Sequence, residues 1–252
     1  MKRLVSTALA VALLVSLGAL AVLARGGGDI LAPAGNAVTA AEQSQTAAAP
    51  DAPTVGTNKL NNIGIPLDVQ SQFSSLGLPF TMFGLAQFIG RPGTDVADVR
   101  KWDASQQGFV RCTLSVGATE CSPQVADLPL ELGGNYILSL TNALPQTVAS
   151  FVGDVPSPGT PRFSMIGATP GCKLNAITLP LSQGGVTDAV QLVAALGGPN
   201  VVSDVRMWDV SNQGFLRCTV KTDGTCSPSA ANFATQIGYP YWVCLKSPVA
   251  WP

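Results

Sequence analysis

The sequence predicts an α+β fold of two tandem small modules, each a mainly antiparallel β-sheet with one short helix, disulfide-stapled. Three observations predict it: a long internal repeat, short segments in which apolar and polar residues alternate, and six cysteines whose positions follow the repeat. We expect a leader over residues 1–25, a tether over 26–57, modules over 58–145 and 171–252, and a connector that contains a hairpin over 146–170.

The internal repeat is the strongest pattern in the chain. The segment DVRKWDASQQGFVRCT, residues 98–113, returns as DVRMWDVSNQGFLRCT at residues 204–219. Shorter matches occur in the same order on either side, with KLN at 59–61 and 173–175, and NYILSL at 135–140 opposite PYWVCL at 240–245. A match of this length in constant order indicates a duplicated structural unit.

The strands are predicted from alternation. KLNAITLPL, from residue 173, alternates apolar and polar residues and ends at a proline. DVRMW and FLRCT are expected to form a hairpin, since Gly214 between them suits a turn with positive φ. YWVCL, from residue 241, is expected to form the last main strand.

One short helix is expected in each module. In the second module Thr187 is the predicted N-cap, and an apolar face at helical spacing continues to Gly197. In the first module Thr81 and Gly90 mark the corresponding ends.

The cysteines predict three disulfides. Six cysteines permit 15 pairings, but the repeat places two pairs in equivalent positions, and the remaining two have no sulfur at their equivalents, Asn58 and Ser139. The predicted bridges are Cys112–Cys121, Cys218–Cys226 and Cys172–Cys244. Thiolate metal binding is the rival interpretation, and it is disfavoured because the spacings differ from those of zinc knuckles. Disulfides imply an oxidising exterior, and no metal or cofactor is expected.

The charge composition excludes many functions. The chain has no histidine and only 12% charged residues, so Ser-His-Asp catalysis and His-ligated metals are excluded. We expect no enzyme. After Arg25 the chain contains 11 basic and 15 acidic residues. The resulting net charge of −4 does not favour binding to nucleic acid.

The N-terminus predicts export. Lys2 and Arg3 precede 21 uncharged residues, Leu4 to Ala24. Such a segment directs export, either as a cleaved signal peptide or as a retained anchor, because its length lies between the two classes. The Ala-, Gly- and Pro-rich tether that follows is expected to be disordered.

The repeated WDxSxQG turn is the one polar constellation found in both copies. Its oxygen-bearing residues before a glycine are similar to the start of a calcium loop, although turn stabilisation is the simpler interpretation because no glutamate closes the loop. These candidate residues are Asp103, Ser105, Gln107, Asp209, Ser211 and Gln213.

Repeated aromatic residues are candidates for stacking against a ligand. Sugar rings pack on aromatic faces, but a tryptophan repeated on a strand is also typical of a core. The candidates are Trp102, Trp208, Tyr241 and Trp242. Arg111 and Arg217 are expected to pair with Asp98 and Asp204 across each hairpin, in a structural role.

The order of these blocks, KLNxIxxPL, a short helix, VxxWD and a final strand, resembles repeats in large secreted and surface proteins of Chloroflexota and archaea. The resemblance covers about residues 57–145 and 163–250. It implies a β-rich surface module and says little of function. The paired cysteines, and Lys59 and Lys173 where tryptophan is common, depart from that pattern.

These observations predict a non-enzymatic cell-surface or extracellular protein that presents two modules for adhesion, envelope structure or partner assembly. One alternative is a pair of carbohydrate-binding modules that use the aromatic residues. Another is a subunit of an extracellular filament or membrane-associated complex, in which exposed strand edges recruit neighbours. The expected partners are proteins or glycans at the cell surface, and the membrane itself if the leader is retained.

Overall fold

A computed structural model describes residues 59–141 and 149–252. The leader, the tether and part of the connector lie outside the described residues. The described residues all fall within one compact unit. No helix among them is long and apolar enough to cross a bilayer.

The fold is α+β, with mostly antiparallel sheets and three short α-helices, as predicted. The strands are β1 (Lys59–Gly64), β2 (Val96–Asp103), β3 (Gly108–Thr113), β4 (Asn135–Leu140), β5 (Phe163–Met165), β6 (Lys173–Thr178), β7 (Val202–Asp209), β8 (Gly214–Val220), β9 (Cys226–Ser227), β10 (Pro240–Leu245) and β11 (Val249–Trp251). The helices are α1 (Gln70–Ser75), α2 (Met82–Ile89) and α3 (Ala189–Ala195).

Two sheets share one strand order. The first sheet runs β1-β4-β2-β3, and the second runs β6-β10-β7-β8 with the short β9 added at its edge. The hairpin registers also correspond, because Asp98 lies opposite Thr113 in the first sheet and Asp204 opposite Thr219 in the second. This is the arrangement that a duplicated unit would have, and the duplication itself stays a prediction from the sequence.

The central strands β4 and β10 are buried on both faces, whereas the hairpin strands β3 and β8 are partly exposed. On β10, Tyr241, Val243 and Leu245 point into a core with α3, while Trp242, between them, lies on the opposite face and is 1% exposed. On β4, Ile137 occupies the position of Trp242 and is also buried. We call the face opposite each core the second face. The second faces of the two sheets contact each other through the Trp102 and Trp242 rings, whose centroids lie 5.3 Å apart.

The helices begin where short polar side chains cap them. Thr81 caps α2 as predicted, and its hydroxyl accepts a hydrogen bond from Gly84 N. The prediction for the second module is wrong by one residue, because the Asp188 side chain, not Thr187, accepts from Gln191 N at the start of α3. The sequence analysis did not predict α1, a six-residue helix that buries Phe73.

The connector contains one described strand and no internal hairpin in its described part, contrary to the prediction. Strand β5 pairs with β11 at the C-terminal end of the second module. Phe163 of β5 stacks against Trp251 of β11, with ring centroids 6.1 Å apart. The connector therefore adds a two-stranded sheet to the second module.

The three disulfides join the cysteine pairs that the repeat predicts, Cys112–Cys121, Cys172–Cys244 and Cys218–Cys226. No cysteine is free. The two short bridges each tie a strand of a hairpin to the loop or strand that follows it. The long bridge joins the neighbouring strands β6 and β10 at the start of the second module.

The long bridge is expected to contribute more stability than a short one. The double variant Cys172→Asn, Cys244→Ser reproduces the residues of the first module, Asn58 and Ser139. Because the bridged cysteines are 72 residues apart, we expect it to lower the free energy of unfolding by about 4 kcal/mol in urea titrations.

The matched control is Cys218→Ser, Cys226→Ser, whose bridge spans only 8 residues and is expected to cost about 2.6 kcal/mol. Equal losses in the two variants would contradict the expectation.

Candidate functional site

The repeated turns are built around one carboxylate each. Asp103 Oδ1 accepts hydrogen bonds from Ser105 N at 2.8 Å, Ser105 Oγ at 2.6 Å and Gln106 N at 3.2 Å. Asp209 accepts in the same way from Ser211 N and from the backbone and side chain of Asn212. Both aspartates therefore stabilise turns, because their oxygens bind groups within the turn.

The calcium interpretation of these turns is wrong. The candidate ligands do not converge, since Ser105 Oγ donates to Asp103 and the Gln107 amide is directed at the other sheet. The second turn repeats this arrangement. Ser211 N donates to Asp209 within the turn, and the Gln213 side chain is bonded to Leu60 of the first sheet.

Gln107 and Gln213 each bind the edge strand of the opposite sheet. Gln107 Oε1 accepts from Leu174 N at 2.9 Å, and its Nε2 donates to Leu174 O at 3.0 Å. Gln213 contacts Leu60 in the same way, with distances of 2.7 and 3.2 Å. We call these two contacts the glutamine bridges. Each amide supplies the donor and the acceptor that a neighbouring strand would supply.

The indoles of Trp102 and Trp208 complete the glutamine bridges. Trp102 Nε1 donates to Leu174 O at 2.8 Å, and Trp208 Nε1 donates to Leu60 O at 2.9 Å. The contacts are reciprocal, because each hairpin binds the first strand of the other sheet. This is the pattern of an isologous dimer interface within a single chain.

The two glutamines adopt a backbone conformation that is unfavourable for a residue with a side chain. Gln107 has φ of +51° and Gln213 has φ of +49°, in the left-handed region that favours glycine. A non-glycine residue in this region costs about 1–2 kcal/mol. The glutamine bridges offset this cost.

The aromatic side chains do not form an open stacking platform. Trp208 is 7% exposed and Trp242 is 1% exposed, and Tyr241 is fully buried in the core of the second module. Trp242 lies edge-on to Trp102, Phe109 and Phe215. The predicted stacking platform is therefore not formed: Trp208 and Trp242 are buried at the contact between the sheets, and Tyr241 is buried in the core of the second module. Trp102 borders a cleft described below.

Two buried carboxylates lie on the second faces, each between two arginines. Asp98 contacts Arg100 at 2.6 Å and Arg111 at 2.7 Å, and its side chain is 1% exposed. Asp204 makes the equivalent contacts with Arg206 and Arg217, at 2.6 and 2.8 Å. The pairing with Arg111 and Arg217 confirms the prediction, whereas the arginine two residues after each aspartate was missed.

Asp204 also lies beside the long disulfide. Its carboxylate and the sulfurs of Cys172 and Cys244 come within 4.8 Å of one another. The sulfurs are bonded to each other, and the carboxylate is held by two arginines. The geometry is therefore that of a disulfide beside an ion-pair network.

A polar cleft of about 270 Å³ lies between the turn that precedes β4 and the strand β5. Lys101 Nζ lies 2.5 Å from Glu131 Oε1 at its border, and Arg162 also lines it. Asn135, 5% exposed, has a buried Nδ2 atom without a hydrogen-bond partner among the described residues. We call this the Asn135 cleft. The sequence analysis missed it, because its residues come from two modules and from the connector.

Comparisons with protein-family models, with curated proteins and with solved structures find no match to this chain.

Removing a glutamine bridge is expected to destabilise the fold. Gln107→Ala leaves the backbone N–H of Leu174 without its partner, so we expect a loss of about 2 kcal/mol in the free energy of unfolding. Gln107→Gly removes the same contact but relieves the positive φ, so its loss should be smaller.

The neighbouring Gln106→Ala is the matched control, because its side chain is exposed, and it should change stability by less than about 0.5 kcal/mol. A glycine variant more stable than the wild type would show that the turn needs only a permissive backbone.

The turn carboxylates are expected to titrate at low pH. The hydrogen bond from the Ser105 hydroxyl holds the pKa of Asp103 below its ordinary 3.8, and the Asn212 side chain does the same for the pKa of Asp209. A folded-state pKa below the unfolded value contributes stability above the unfolded pKa, which is lost as pH falls through the folded pKa. Stability should therefore decline as pH falls below about 4.

Carboxyl-carbon NMR titration of Ser105→Ala checks this assignment. The pKa of Asp103 should rise towards 3.8, while that of Asp209 should stay depressed and serve as the internal control. An unchanged Asp103 pKa in this variant would refute the role of the hydroxyl.

Proposed function

We propose that the chain is a non-enzymatic exported protein that acts at the cell surface or outside the cell. In this role it presents two β-modules, each with at least one disulfide within the module, for adhesion, envelope structure or assembly with partners. The observation that carries the proposal is the pairing of all six cysteines in a chain whose two sheets are held together by reciprocal contacts. Such a body remains folded in an oxidising environment without a chaperone or cofactor.

The way in which polar residues are used supports a non-enzymatic role. The carboxylates of Asp98 and Asp204 are held by arginines, and those of Asp103 and Asp209 are held by their turns. A catalytic acid or base needs a carboxyl group within reach of a substrate and a pKa near the working pH. The shifts at Asp103 and Asp209 are in the opposite direction, towards lower pKa.

Carbohydrate binding is the second candidate, and the Asn135 cleft is the observation that favours it. The cleft combines the Trp102 ring with charged and amide side chains, as sugar sites do.

The filament alternative has less support, because the glutamine bridges occupy the edges of β1 and β6, where another strand would add.

Export is tested by fractionating cells that produce the full chain with a C-terminal tag. We expect the chain outside the cytoplasm, unreactive to maleimide until it is reduced and denatured, and then labelled at six cysteines. The control is a chain without residues 1–25, which should remain in the cytoplasm with reactive thiols. A full chain in the cytoplasm with free thiols would overturn the proposal, and turnover in a broad hydrolase screen would overturn its non-enzymatic part.

A further inference from the structure

The two sheets differ in chemistry around the Asn135 cleft. At four equivalent positions the first sheet carries a charged, amide or side-chain-free residue, and the second carries an uncharged residue of another type. The pairs are Lys101 and Met207, Glu131 and Gln236, Gly134 and Tyr239, and Asn135 and Pro240. The shared architecture therefore does not require the polar residues of the cleft.

Tyr239 shows what closes the equivalent place in the second sheet. Its hydroxyl donates to Trp208 O at 3.1 Å, so its ring covers the end of the hairpin strand. In the first sheet the equivalent residue is Gly134, so no side chain from this position covers Trp102. Both Gly134 and Trp102 border the cleft.

The polar groups of the cleft are mainly hydrogen-bond donors. Lys101 and Arg162 contribute two cations, and the single carboxylate, Glu131, already pairs with Lys101. Arg162 is held by a hydrogen bond from its Nε to Pro252 O at 3.2 Å. With two cations and one carboxylate among its side chains, the cleft suits a ligand that brings acceptor oxygens and a negative charge.

The cleft also has apolar side chains in its lining. The Trp102 and Phe163 rings line it together with Pro161 and Met165. C–H groups of a sugar ring pack well on such surfaces. The volume of about 270 Å³ is below the roughly 300–1,000 Å³ of pockets for drug-sized ligands, which indicates a ligand about the size of one sugar ring.

We propose that the Asn135 cleft binds an acidic sugar, a pyranose that carries a carboxylate. The sugar ring packs between Trp102 and Phe163, and the carboxylate faces Lys101 and Arg162. This inference deepens the proposed function, because it names a ligand class for an exported, non-enzymatic module.

The test is a titration of the purified, oxidised full chain with D-glucuronate and D-galacturonate. Binding is followed by calorimetry and by the NMR signal of the Trp102 indole N–H. At least one uronate should bind saturably, shift this signal and bind about tenfold or more tightly than glucose, which lacks the carboxylate. Added salt should weaken the binding. An oligogalacturonate arm distinguishes a free sugar from a residue within a polysaccharide.

Two variants and one control assign the site. Lys101→Met introduces the residue of the second sheet, and Arg162→Gln removes the other cation. Each should weaken uronate binding about tenfold while the thermal unfolding midpoint stays close to that of the wild type. Lys221→Met removes the same charge from an exposed position outside the cleft and should bind as the wild type does.

The inference is overturned if neither uronate saturates in the millimolar range, or if both cleft variants bind like Lys221→Met. It is also overturned if acetate competes as well as the uronates, since the cleft would then recognise an anion alone. These outcomes leave the cell fractionation result unchanged, so the failure of this inference is distinguishable from the failure of the proposed function.

Discussion

The backbone of an edge strand presents N–H and C=O groups that no neighbouring strand pairs, and the arrangement of this protein depends on how these groups are satisfied. At Leu60 and Leu174 the partner is a glutamine side chain from the other sheet. Each glutamine reaches the strand from a turn that holds its backbone in the left-handed region. Strand, turn and opposite sheet are therefore linked, and the same contact that blocks strand addition also holds the two sheets together.

The glutamine bridges bring the second faces together. Each module has a hydrophobic core of its own, and the contact between the second faces adds buried apolar surface to these two cores. Trp242 is almost fully buried there. Asp98 and Asp204 are tolerated on these faces because each carboxylate has two arginine partners, while an unpaired buried charge would be strongly destabilising.

Local patterns in the sequence were enough to predict the hairpins, the disulfide pairs and the ion pair between Asp98 and Arg111, because each depends on residues that are close in the chain or equivalent in the repeat. The glutamine bridges join residues 67 and 153 positions apart, and no periodicity reports on such contacts. The repeat showed two similar turns but could not show that each turn binds the other module. For the same reason the sequence could not decide whether Trp208 and Trp242 are exposed for stacking or buried. Alternation assigns a side chain to one face of a strand but does not reveal what covers that face.

The difference between the two halves follows from where the stabilising contacts lie. The glutamine bridges, the indole hydrogen bonds and the buried aspartates are present in both sheets with nearly equal distances. The turn before β4 adds one hydrogen bond between the sheets, from Thr178 Oγ1 to Gly134 O at 3.0 Å, and this bond uses the backbone of Gly134. The side chains of that turn can therefore differ from those of the second sheet. In the second sheet the turn carries Tyr239, whose hydroxyl donates to Trp208 O. In the first sheet the turn is followed by Asn135, whose buried Nδ2 atom has no hydrogen-bond partner among the described residues. Leaving such a donor unpaired costs about 1–3 kcal/mol. A body held by three disulfides and two reciprocal bridges tolerates this cost, because the contacts that stabilise it lie elsewhere in the two sheets.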